Sequence, residues 1–131
     1  MWSFRKQIDP EIWEEMNREV LKLTQEKRSD EALRVGKKLF AYSKKVHGER
    51  HENTATALNN LGAVCTLRGE FDEAESYLLA ALQIGERVSG KMSKPVLVVN
   101  LNLAKLYTAK ARKINDIVGV FQGHAAKKES S

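Results

Sequence analysis

The sequence predicts an all-α fold: a solenoid of stacked antiparallel helix hairpins, about two and a half repeats long. Two observations carry this prediction. The first is an internal period. Asp30-Glu31-Ala32 recurs as Asp72-Glu73-Ala74, Lys45-Val46-x-Gly48 as Arg87-Val88-x-Gly90, and Leu61-Gly62-x-x-Cys65 as Leu103-Ala104-x-x-Tyr107, each 42 residues further on. A fixed period of this size marks supersecondary units that bury their apolar faces against one another. The second is the spacing of apolar residues inside each period. Leu58, Leu61, Gly62 and Cys65 share one helix face, and Tyr77, Leu78, Ala81, Leu82, Ile84 and Val88 share another. No segment shows the sustained alternation of a half-buried strand.

The pattern places helices at 10–27, 30–47, 53–68, 71–89 and 95–111, with a shorter one near 113–122. Asp9-Pro10-Glu11 opens the first, because an aspartate accepts a backbone N–H and proline suits the first helical position. Arg68-Gly69-Glu70 separates the third and fourth, with Gly69 free to take a left-handed conformation. Asp72 and Glu73 then fall in a first turn, where the helix dipole favours acids. Ser93-Lys94-Pro95 is expected to open the fifth helix as Asp9-Pro10 opens the first. Ile114, Ile117, Val118, Val120 and Phe121 keep helical spacing, weakened by Gly119 and Gly123. This segment is expected to fold back as a cap over the third repeat; the alternative is an exposed stripe that docks on a second copy or another protein. One domain is therefore expected over 1–123, with repeats at about 12–53, 54–95 and a partial 96–123, followed by a disordered basic tail at 124–131.

Composition narrows the function classes. The chain has 131 residues, 42% of them hydrophobic and 30% charged, with one cysteine. A single cysteine excludes an internal disulfide framework and a multi-cysteine zinc site. No stretch approaches the roughly 20 apolar residues of a membrane span, and no apolar run near Met1 suggests a secretory signal; a cytoplasmic location is expected. The formal net charge of +5 is uneven: residues 1–50 carry 12 basic and 9 acidic side chains, residues 51–93 carry 3 and 6, and residues 94–131 carry 7 and 2. A basic end can attract nucleic acid or an anionic partner, although no RNA-binding motif or zinc finger accompanies it.

The second repeat, Leu58-x-x-Leu61-Gly62-x-x-Cys65 followed by Ala74-x-x-x-Leu78 and Ala81, resembles the tetratricopeptide repeat family. Its small residues let two helix backbones approach while the leucines fill the surrounding space. The 42-residue period and Gly48-x-x-His51-x-x-Thr54-Ala55 look like the kinesin light chain type of this repeat. The resemblance covers about residues 12–111. It is partial in repeat one, where Met16, Glu19, Val20, Leu23 and Ala32 occupy the equivalent positions, and in repeat three, where Asn100, Leu103, Ala104 and Tyr107 do. Gly36 and Leu39 stand where repeat two has Leu78 and Ala81, an exchange of large and small that can conserve core volume.

The resemblance implies a right-handed superhelix whose first helices line a concave groove. It places the candidate contacts at Asn17, Thr56, Asn59, Asn60, Ala63, Val98, Asn102 and Lys105. A side-chain amide offers a donor and an acceptor together, matching the two groups of a peptide backbone. A row of asparagines can therefore hold an extended peptide whatever its side chains. Of the family's two-carboxylate clamp of lysines, asparagines and an arginine only Asn60 is matched; the lysine positions of the first and third repeats hold Asn17 and Val98 and the arginine position holds Asn102, so a strongly acidic C-terminal peptide is not the expected ligand. The implied function is a non-enzymatic adaptor that binds a protein or peptide in its groove. Alternatives are nucleic-acid association through the basic C-terminal third, separable by its salt dependence, and self-assembly through the end repeat.

No chemistry-bearing constellation competes with this. Cys65 lies on the apolar face and is expected to behave as a small hydrophobe. His47 and His51 flank Gly48 in a linker and lack further metal ligands. The carboxylates Asp30, Glu31, Asp72, Glu73 and Glu75 occupy cap and solvent positions. Trp2, Trp13, Phe40, Phe71 and Tyr77 read as core or staple residues. No enzymatic activity, cofactor, metal or membrane partner is expected.

Overall fold

The computed structural model describes residues 9–130, with side chains as far as residue 123. Trp2 and the side chains of the expected 124–131 tail, His124 included, lie outside the described residues. Five helices follow one another: α1 (Pro10–Gln25), α2 (Ser29–Val46), α3 (Glu52–Arg68), α4 (Phe71–Ser89) and α5 (Lys94–Ser130). Each packs against the next, and the first helices of successive repeats also touch, α1 against α3 and α3 against α5. The result is an all-α helical-repeat solenoid, with hairpin one formed by α1 and α2 and hairpin two by α3 and α4.

The helix boundaries have local causes. Asp9 accepts the Glu11 backbone N–H at 3.0 Å, with Pro10 at the first helical position. His51 caps α3 through Nδ1, which accepts the Asn53 N–H at 2.9 Å, and its ring stacks on His47 with centroids 4.6 Å apart. Gly69 ends α3 at φ 77°, and Gly48 and Gly90 also have positive φ. The turn of hairpin one lacks such a glycine: Lys27, 42 residues before Gly69, is held at φ 59°.

The core is continuous along the stack. Trp13, Val20, Leu23, Ala32, Val35 and Leu39 fill hairpin one and meet Ala57 and Val64 of α3. Leu58, Cys65, Ala74, Leu78 and Ala81 fill hairpin two and meet Val99, Leu103 and Leu106 of α5. The polar groups inside hairpin one are paired: Trp13 Nε1 donates to Ser43 Oγ at 2.8 Å, and that hydroxyl donates to the Leu39 carbonyl at 2.8 Å. Arg68 at the end of α3 ties the two hairpins together through Asp30 of α2, and also pairs with Glu70 at 3.0 Å.

Two expectations are corrected. The segment near 113–122 is not a separate helix folded over repeat three; α5 runs unbroken from Lys94 to Ser130, and residues 110–123 are exposed. Every reversal among the described residues uses a residue at positive φ, and none stands between Lys105 and Gly123. Gly119 and Gly123 cost about 1 kcal/mol each relative to alanine, a weakening without a turn. Ser93 does stand at the start of α5, where its carbonyl accepts the Leu97 N–H at 3.0 Å, but its side chain does not cap the helix as that of Asp9 does. Its hydroxyl is buried and makes no hydrogen bond among the described residues. A capping oxygen accepts from the second or third helical N–H, and Pro95 at the second position has none.

Candidate functional site

The first helices α1, α3 and α5 line one concave face, and the asparagines on that face are joined in pairs. Asn60 Nδ2 donates to Asn17 Oδ1 at 2.6 Å, and Asn102 Nδ2 donates to Asn59 Oδ1 at 2.9 Å. Each bond spans 43 residues, so one links α1 to α3 and the other links α3 to α5. Asn59 and Asn60 are 8% and 7% exposed. The sequence expectation of a row of free amides is modified accordingly: the amides first hold the repeats in register. A head-to-tail amide pair still has unused capacity, because one carbonyl and the remaining N–H bonds are not consumed. The carbonyls of Asn60 and Asn102 and the NH2 groups of Asn17 and Asn59 are the unconsumed ends.

These four asparagines border a cavity of about 680 Å³ together with Thr56, Ala63 and Val98. Lys105, the eighth candidate, is exposed and lies outside it. The cavity also takes in Leu21, Ala55, Ala81, Gly85, Pro95 and Val99, a largely apolar floor, and two charged residues, Glu52 and Lys94. Neither charge was among the candidates. They stand 42 residues apart at the starts of α3 and α5, so the repeat period itself was the signal that marked them.

Threonines recur on this face with the same period. Thr24, Thr66 and Thr108 donate to the carbonyls of Val20, Gly62 and Ala104 at 2.7, 2.9 and 2.8 Å, and Thr56 donates to that of Glu52 at 3.0 Å. Their hydroxyl protons are spent on their own helices, which leaves the asparagines, with Lys94 at the start of α5, to donate to a ligand from the groove wall.

The arrangement offers no activated nucleophile at Cys65. The thiol is buried against α4, and burial, with Glu70 and Glu73 nearby, pushes its pKa up to about 11, away from a reactive thiolate. Among the described residues no group of three or more His, Cys, Asp or Glu side chains is placed to hold a metal ion. Nor is any described helix long and apolar enough to cross a membrane. Fold and groove together define an all-α helical-repeat protein with a polar-walled, apolar-floored concave face.

Residues 23–87, the segment from the end of α1 through most of α4, match the family described as tetratricopeptide repeat, which agrees with the helical-repeat fold. Such repeats generally mediate protein–protein interactions. No curated protein matches the chain.

Proposed function

We propose that the chain is an adaptor whose concave groove binds an extended peptide segment of a partner protein. The observation that carries this reading is the pair of inter-repeat amide bonds bordering an open cavity. They fix four asparagines rigidly in place and leave alternating donors and acceptors toward the space between α1, α3 and α5. A peptide backbone presents the complementary groups, and a pre-organised wall spares most of the ordering cost of binding. Ala55, Ala81, Val98 and Val99 would receive an apolar side chain, and Glu52 and Lys94 would favour a ligand that carries charges of both signs. The 42-residue period and the Gly48-x-x-His51 linker support placing the repeats with the kinesin light chain type in architecture.

Selection from a displayed peptide library, followed by anisotropy with the enriched peptides, tests the proposal. Val98 is exposed, so Val98→Asp should leave helicity intact while weakening binding by about tenfold, which corresponds to about 1.4 kcal/mol. The variant Asn60→Ala with Asn102→Ala should do the same if it remains folded by circular dichroism. Full binding by a folded Val98→Asp protein would refute the groove assignment, and loss of all ligand on nuclease treatment of a lysate capture would favour nucleic acid instead.

A further inference from the structure

A second cavity, of about 400 Å³, opens on the side of the stack away from the groove and shares no residue with it. Its walls are the C-terminal halves of α2 and α4, and the linker between the hairpins closes one end. Thr54 and Leu58 of α3 form the floor. Each lies about 200° round that helix from Thr56, which borders the groove. Phe40 of α2 and Ile84 of α4, both half-buried, add apolar surface, and Val88, 45% exposed, stands at the mouth.

Three cations share this lining: Lys44 on α2, Arg50 in the linker and Arg87 on α4, against Glu49 alone, a balance of +2. None of the three makes an ion pair among the described residues. The Lys44 ammonium lies 4.5 Å over the Phe40 ring, so its charge stands directly beside apolar surface. Lys44 and Arg87 fall in the last turns of their helices, where a cation complements the dipole. The repeat does not demand this set, however: one period on, Lys44 and Arg50 are replaced by Glu86 and Met92.

Charge at the cavity itself selects the occupant. Carboxylates can reach the guanidinium and ammonium groups on both walls, while a large apolar side chain between them covers Phe40, Ile84 and Val88. Gln83, exposed on the α4 wall, offers an amide to a peptide backbone. A long polyanion fits less well. Arg87 is the one basic residue of α4, against Asp72, Glu73, Glu75 and Glu86, so phosphates running along that wall would meet like charge. We infer that this cavity binds an acidic segment of a partner protein, with one large apolar side chain set between Asp or Glu residues.

The probe is a short fluorescein-labelled peptide with one tryptophan between pairs of glutamates, measured by anisotropy against the full chain. Control peptides carry lysine for the glutamates or alanine for the tryptophan, and each should bind at least about tenfold more weakly. Lys44→Glu and Arg87→Glu, both at exposed positions, should each weaken the glutamate peptide at least about tenfold with helicity unchanged. Glu49→Gln should tighten it about twofold, whereas Lys110→Glu, exposed on α5 and lining neither cavity, should alter it by less than that. Equal binding of either control peptide overturns the proposal. Binding indifferent to Lys44→Glu and Arg87→Glu but lost in Val98→Asp would place the peptide in the groove and overturn it as well. An oligothymidylate that displaces the probe as effectively as unlabelled peptide would assign these cations to nucleic acid, with the same consequence.

Discussion

In hairpin two the small residue of the interhelical contact stands on the first helix and the large one on the second: a Cβ at Gly62 would overlap Leu78 Cγ. In hairpin one the order is reversed. Val20 is fully buried at the position equivalent to Gly62, and Gly36 stands at the position equivalent to Leu78. The space over Gly36 is taken by Leu61 of α3, whose Cδ2 would lie 2.9 Å from an added Cβ, with Val20 Cγ1 at 4.0 Å. A close-packed contact needs one large and one small partner but is indifferent to which helix supplies which. The exchange of Gly36 and Leu39 against Leu78 and Ala81 is thus one half of a wider compensation, with Val20 and Leu61 as the other half.

The largest effect should come from breaking this complementarity in hairpin two. Gly62→Val should cost about 3 kcal/mol by overpacking, read as a lower urea midpoint. Adding Leu78→Gly recreates the order of hairpin one. The double variant should be more stable than the sum of the single losses by at least about 1 kcal/mol; strict additivity would contradict the crossed pair. Gly36→Leu should destabilise by roughly 1–3 kcal/mol, since the gap above it is already filled by Leu61, and a neutral result would mean that Leu61 moves aside freely.

A smaller effect separates the two turns. Lys27 adopts the left-handed conformation that Gly69 adopts in hairpin two. A residue with a Cβ is disfavoured there by about 1 kcal/mol, so Lys27→Gly should stabilise the chain by about that much and Gly69→Ala should destabilise it similarly, both measurable by thermal unfolding.

The smallest is a pH effect in the linker between the hairpins. Burial, then the neighbouring His51, pull the His47 pKa below its ordinary 6.5. The unfolded chain therefore takes up a proton there before the folded chain does. Stability from this group is fully present above about pH 6.5 and declines as the pH falls through the lowered folded value. His47→Gln should flatten that part of the stability profile; an unchanged slope would remove His47 as its source.

Much of this architecture was legible because it is written in local residue patterns. The period follows from repeated triplets such as Asp30-Glu31-Ala32 and Asp72-Glu73-Ala74, and the cap at Asp9 from its neighbour Pro10. What escaped depends on relations that no local pattern records. The amide bonds join residues 43 apart, one more than the period, because they cross between adjacent helices and do not follow equivalent positions. Ser93 resembles Asp9 until Pro95, at the second helical position, is seen to remove the N–H equivalent to the one that Asp9 accepts from Glu11. The unbroken α5 was hidden by two glycines that weaken a helix without turning it.

The central claim is that the paired asparagines form a rigid wall with valences left for a peptide. Its most direct test is a heteronuclear NMR titration of the labelled chain with a library-selected peptide. The account predicts that the side-chain NH2 signals of Asn17 and Asn59 shift together with the Val98 methyls, while the signals of Ile114, Val118 and Phe121, exposed further along α5, stay in place. Shifts confined to Ile114, Val118 and Phe121, with the asparagine signals unmoved, would contradict it.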